Sequence, residues 1–266
     1  MKKTMFLLLL ILGVVHITHA QMDWMNPTTR GKFSIDFYHP DFDSKGYNAI
    51  TGLYDITFQT TLASGSAVRI EVPFCNFSYE RNGFKEDEFA LSNIYLGFRM
   101  NNNDEWFTDI GLRLPTASDD KFLANLIGGS ADYERMYAYG ADVITGSIMV
   151  QRHKIMDKGS YMGFRLGTSV SHFTDSEVED PTDLWANYGV YCGLDLEKFG
   201  ASMGYEGVVI FTEDGNISDR HLSTVEVSAY LKHDRIRPGL FLKIPMDEEI
   251  SNGMGKVIGL SISMSY

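Results

Sequence analysis

The sequence is poor in cysteine, proline and positive charge. Cys75 and Cys192 are its only thiols and stand far apart, so a disulfide framework is excluded and one bridge is the most they could form. The 7 prolines form no Pro/Ser-rich linker, and no low-complexity tract or internal repeat marks a domain boundary. Lys and Arg number 23 against 35 Asp and Glu, for a net charge of −12. That balance argues against nucleic acid as a partner. Beyond Val15 no apolar run approaches the roughly 20 residues a spanning helix needs.

The first residues have the pattern of a secretory signal peptide. Lys2 and Lys3 precede an apolar run from Phe6 to Val15, and the segment ends Thr18-His19-Ala20. Cleavage after Ala20 is expected, and no cysteine follows the run to carry a lipid anchor. The expected organisation is a signal peptide over 1–20, a periplasmic N-terminal segment over 21–31 and one β domain over 32–266. Met22–Gly31 holds Trp24 and Pro27 without alternation. It either hangs in the periplasm or folds back to narrow a pore.

Alternation with period two dominates the rest. Ile258, Leu260, Ile262, Met264 and Tyr266 alternate with Gly259, Ser261, Ser263 and Ser265. This ending resembles the C-terminal signal read by the barrel-assembly machinery of Gram-negative bacteria, which the resemblance implies as a partner. The same pattern recurs at Met162–Val170, Leu184–Leu196, Phe199–Phe211, Val225–Leu231 and Leu240–Met246, and earlier at Phe33, Tyr54, Val68, Ile94 and Trp106. About twelve strands are expected, an even number as in bacterial outer-membrane barrels. Parity slips near Thr145 and Gly146, which predicts a bulge. Short turns (Ala63–Ser66, Asn101–Asp104, Met156–Gly159, Glu197–Lys198, Asp234–Arg237) alternate with longer loops (His39–Ile50, Glu80–Phe89, Pro115–Glu134, Phe173–Asp183, Thr212–Arg220, Asp247–Gly253). The expected fold is all-β: a closed antiparallel up-and-down transmembrane β-barrel in the outer membrane, with both termini periplasmic. Closure follows because backbone polar groups in a bilayer must all be paired.

The face opposite the apolar one carries Asp36, Asp55, Arg69, Glu71, Arg99, Asp109, Arg113, Arg165, Asp195, Glu206, Glu226 and Lys243. Such charge suits a lumen and not a dry core. A soluble ligand-binding barrel would have the reverse parity. Parity also turns Cys75 inward and Cys192 outward, against their pairing. Arg99, Arg113 and Arg165 facing Asp109, Glu206 and Glu226 predict either a charged constriction or a static network that plugs the barrel.

Ile110-Gly111-Leu112-Arg113-Leu114-Pro115-Thr116, a strand end entering a long loop, resembles a piece of the outer-membrane transporter family of phenol-degradation (MetA-type) pathways. That family is distantly similar to long-chain fatty acid transporters. The resemblance implies passive passage of small, hydrophobic or aromatic molecules. The loops are acidic, with Glu80, Glu86, Asp87 and Glu88 in one, Asp119, Asp120, Asp132 and Glu134 in another, and Asp175, Glu177, Glu179, Asp180 and Asp183 in a third. Hydration explains such loops, and a rim binding the cations of lipopolysaccharide is the alternative. Asp214-Gly215-Asn216-Ile217-Ser218 begins like a calcium loop but has Asp219 and Val225 where glycine and glutamate are required. No metal or cofactor is expected. His172 beside Ser171 and Thr174 is the one suggestion of a lipid-modifying hydrolase, and the expectation is a protein that is not an enzyme. A structural or adhesive barrel with a plugged lumen is the runner-up to a channel.

Overall fold

The computed structural model describes Trp24, Met25 and residues 27–42, 46–103, 105–175, 181–212, 220–233, 235–251 and 253–266. The expected signal peptide, Asp214–Ser218, and Glu177, Glu179 and Asp180 lie outside them.

The strands are β1 (Lys32–Phe42), β2 (Gly52–Thr61), β3 (Ala67–Arg81), β4 (Phe84–Leu91), β5 (Tyr95–Asn103), β6 (Trp106–Arg113), β7 (Val143–Ile155), β8 (Ser160–Phe173), β9 (Thr182–Asp195), β10 (Phe199–Ile210), β11 (His221–Leu231), β12 (Ile236–Pro245) and β13 (Met254–Ser265). Each pairs antiparallel with its sequence neighbour except at β4, which pairs with β3 alone. The inner half of β3 pairs instead with β5, and β13 returns to β1. Twelve strands therefore close the barrel, and β4 is an extra strand at the long-loop end.

The alternation is two-sided burial. Leu166, Val190 and Leu240 expose 59, 55 and 60% of their surface around the outside, while Glu226 and Lys243 expose 0 and 1% inside. Successive strand residues point to opposite faces. An apolar belt and a polar lumen follow directly from the sequence period. Ile35 and Ile262, and Phe37 and Leu260, meet across the closing β1–β13 seam. At its end, Tyr266 Oη donates to the Gln59 carbonyl at 2.8 Å, and its ring stacks on Phe58. Cys75 is buried and Cys192 exposed, both free.

Three sequence expectations change. The register of β7 on β8 runs unbroken from Val143 to Ile155, so the bulge at Thr145 and Gly146 is absent. The apparent slip arises upstream, where Tyr133–Ala138 is a 3₁₀ helix and Asp142 turns with φ 55°. Glu80–Phe89 is a hairpin, not a loop. Asn82 (φ 54°) and Gly83 (φ 83°) are both left-handed, as a two-residue hairpin turn of the primed kind requires. Acids at Glu86 and Glu88 hide the alternation of β4.

The third change has the largest consequence. Pro115–Glu134 is not an external loop: it carries a 3₁₀ turn (Asp119–Lys121) and helix α1 (Phe122–Ala131), and Tyr133–Ala138 follows. α1 buries Ala124, Ile127, Gly128 and Ala131, spaced three and four apart, and packs chiefly on β3. Glu88 on β4 accepts the Ala124 amide at 2.7 Å, satisfying an unpaired helix-start donor and opposing the dipole with a negative charge. Gly128 allows the close approach, since a Cβ there would overlap the Cys75 sulfur and the Tyr139 ring.

Candidate functional site: an occupied, charged lumen

Two segments enter the barrel. Of the two fates open to Met22–Gly31, its described residues take the second and fold into the barrel: Gln59 donates to the Thr28 and Arg30 carbonyls at 2.8 Å, Met25 is fully buried, and Trp24 crosses to the far wall. There the indole fits a slot at Gly189 and Gly204, where an added Cβ would stand 3.1 and 2.6 Å from the ring. The indole Nε1 donates to Glu226 Oε2 at 2.6 Å. The Arg165 guanidinium lies 4.4 Å from a ring centroid of Trp24, and Tyr191 meets it edge-on at 5.3 Å. From the other end comes the β6–β7 connection. Between the two inserts and the wall lies a cavity of about 210 Å³.

The expected constriction set does not form one cluster. It divides into rows set by strand register. Arg99 and Asp109 face each other directly on β5 and β6 and make a two-pronged pair at 2.6 and 3.0 Å. Arg113, Tyr95 and Glu71 share a row, and Arg113 reaches Glu71 at 2.8 Å across the Tyr95 ring. Of the expected acidic partners, Asp109 stands on the same strand as Arg113 but is taken by Arg99, and Arg113 pairs with Glu71 instead. In the row Arg165–Gly189–Glu206, the glycine lets Arg165 pair with Glu206. Glu226 and Lys243 are directly opposed on β11 and β12, 3.2 Å apart.

The β6–β7 insert ties these rows together. Asp132 accepts from Arg135 at 2.7 Å and from Lys243 at 3.1 Å. Arg135 also donates to Glu71 at 3.2 Å. Glu134 accepts from Lys243 at 2.7 Å and from Thr224. Buried carboxylates need such partners, since an unpaired charge in this setting is strongly destabilising. Oxygens of Glu134, Glu206 and Glu226 lie within 4.8 Å of one another. Lys243 Nζ stands 2.7, 3.9 and 3.2 Å from them, so an ammonium supplies the positive charge a cation would bring.

Sequence reasoning put Glu71 and Lys243 inside but outside the key set, and it placed Asp132 and Glu134 in solvent. The signal that could have found the insert is the short apolar run Phe122–Ile127 inside an otherwise acidic stretch. His172 and Ser171 do not form a couple. Adjacent on β8, they face opposite ways: Ser171 is buried against Thr145 at 2.8 Å, while His172 is exposed and meets Thr182 at 3.0 Å.

No protein-family model matches the chain, and no curated protein matches it by sequence. Solved structures do match. An outer-membrane channel from Pseudomonas putida F1 superposes with a TM-score of 0.63 at 10% identity, covering 93% of this chain and 99% of the other. LpxR from Salmonella typhimurium gives 0.54 at 13% identity over 88 and 100%, and the NanC porin 0.53 at 8% over 89 and 100%. The fold is that of the outer-membrane β-barrels. The expectation that the chain is not an enzyme is corrected here: LpxR, a lipid A deacylase, shares this barrel, so the fold gives no ground for excluding catalysis.

Proposed function

We propose that this chain resides in the outer membrane of a Gram-negative cell, both termini periplasmic, and is a gated channel for small molecules. The carrying observation is the lumen itself: a cavity of about 210 Å³ lined by charged residues and held between two inserts that are fixed by side-chain contacts and not by backbone sheet pairing. Side-chain latches can open without breaking the barrel ladder. A barrel of this size leaves room for solute once an insert moves. The likeness to the Pseudomonas channel supports the reading at the level of fold, and the Ile110–Thr116 resemblance favours small hydrophobic or aromatic solutes. On this reading, lipopolysaccharide surrounds the belt, and the strand ending in Tyr266 is what the assembly machinery reads.

Planar-bilayer recording tests this with the wild-type chain and Arg113→Ala/Arg165→Ala. Both arginines hold wall carboxylates, and Arg165 also backs Trp24. Their loss should raise conductance and shift ion selectivity toward cations. A double mutant that only loses thermal stability, with no current in either protein, would establish the plugged structural barrel instead.

A further inference from the structure

A second, separate cavity of about 340 Å³ lies at the long-loop end, outside the lumen. We propose that it is a binding site for a small apolar organic cation, of the aromatic quaternary ammonium class. Its wall is a run of touching rings. Phe42 and Tyr47 are 4.6 Å apart, Tyr47 meets Phe77 and Tyr79 edge-on at 6.0 and 5.3 Å, and Phe84 closes the run 6.3 Å from Tyr79. The floor is α1, through Leu123, Leu126 and Ile127. Besides the tyrosines, the polar residues of the lining are Ser130 and one carboxylate, Glu86.

The walls are held before any ligand arrives. Tyr47 bridges to Tyr79, and the backbone of the β1–β2 connection is clipped to β3 by Glu80 N to Gly46 O at 2.8 Å and Asn48 N to Ser78 O at 2.9 Å. Gly46, at φ 129°, makes room for the Tyr79 ring, which a Cβ would approach to 2.5 Å. Glu88 anchors the helix floor. The pocket is open to solvent, with Phe84 and Leu126 57 and 53% exposed, so an apolar guest can enter and take ring surface out of water.

The carboxylate sets the sign of the guest. Glu86 lies opposite Tyr79 in the β3–β4 register, on the face shared with Phe77 and Phe84. Its neighbours are already engaged: Lys85 pairs with Asp87 at 2.9 Å, and Glu88 caps α1. Among the described residues no ion pair is made by Glu86. Ring faces attract cations through their quadrupoles. A neutral guest would desolvate Glu86 without compensation, and an anion would be repelled. Asp119 on the same end adds to the negative potential, while Asp87 and Asp120 are balanced by Lys85 and Lys121.

The test uses the full chain in a maltoside detergent, whose headgroup is uncharged. Calorimetric and ligand-observed NMR titrations compare benzyltrimethylammonium with benzyl alcohol and phenylacetate. The cation should bind saturably, about tenfold or more tighter than either analogue. Glu86→Gln should weaken the cation about 3- to 10-fold and leave benzyl alcohol unchanged, and Tyr79→Leu should weaken the cation by a similar factor. Glu86 is exposed, so its substitution leaves the fold intact, and heat-modifiable mobility on gels checks both variants. Absence of saturable cation binding, equal binding of the three probes, or full cation affinity in both variants would overturn the assignment. Binding is read without current, so failure here leaves the channel reading untouched.

Discussion

The indole of Trp24 donates a hydrogen bond of 2.6 Å to Glu226, joining the N-terminal insert to the inner wall of the barrel 202 positions away. The other oxygen of that carboxylate faces Lys243 at 3.2 Å, and Lys243 in turn holds Glu134 and Asp132 of the second insert. Both inserts thus depend on one buried acid–base pair.

Trp24→Phe keeps the ring in the Gly189–Gly204 slot and removes only the donor. A hydrogen bond to a charged group contributes about 1.5–3 kcal/mol, so urea unfolding in detergent should register a loss of that order. Because the two inserts share Glu226 and Lys243, Trp24→Phe and Glu134→Gln should be non-additive in a double-mutant cycle. Additive losses would mean that the inserts are independent.

The lipid face offers a sharper contrast between neighbours. Ile148 is 45% exposed on the outer belt, while Ser147 lines the lumen cavity. Ile148→Arg should cost roughly 2–4 kcal/mol of folding stability in bilayers. Ser147→Arg should cost far less. Equal costs at the two positions would refute the register. Gly189 is no substitute for Ser147 in this test, although it also points inward, because Trp24 packs against it.

What the sequence reveals is the direction of side chains, not their height or neighbours. The period of Met162–Val170 and Leu184–Leu196 reports the lipid face because a bilayer leaves that face uniformly apolar. Inward parity likewise places Arg99 and Asp109 correctly, and a short turn makes them partners. Arg113 reads equally well as inward, yet its partner Glu71 depends on the row that Tyr95 shares with both. Rows require the register of three strands at once, which alternation does not encode. α1 and β4 escape for another reason. A short apolar run and a strand with acids on one face look like loop when context is read one residue at a time. The Trp24 slot needs two glycines on different strands, Gly189 and Gly204, to be recognised as neighbours.

Assembly should depend on the last strand. Tyr266 stacks on Phe58, donates to Gln59, and receives the close approach of Gly31, so it fastens three chain segments at the closing seam. Deletion of Tyr266 should reduce heat-modifiable barrel in the outer membrane, and Tyr266→Phe should restore most of it. Normal amounts after deletion would show that closure by β1 and β13 suffices without the terminal ring.

Lys243 is the most consequential single position. Its ammonium is buried among Asp132, Glu134, Glu206 and Glu226, and no other side chain reaches three of these four within hydrogen-bonding distance among the described residues. Lys243→Met keeps the aliphatic stem and removes the charge, leaving Glu134 and Glu226 without their cation, while Asp132 keeps Arg135 and Glu206 keeps Arg165. Breaking a buried pair in this way costs about 3–5 kcal/mol. The cheapest relief is for the insert to withdraw Asp132 and Glu134 into water, since the strand residues Glu206 and Glu226 cannot leave the wall. Lys243→Met should therefore gain conductance and expose Pro115–Glu134 to protease from the long-loop side, both measurable in reconstituted vesicles. Adding Glu134→Gln should reverse part of each effect by removing one unpaired charge. If the single variant unfolds less stably but stays protease-resistant and non-conducting, the acid–base pair is structural and the latch does not reside at Lys243.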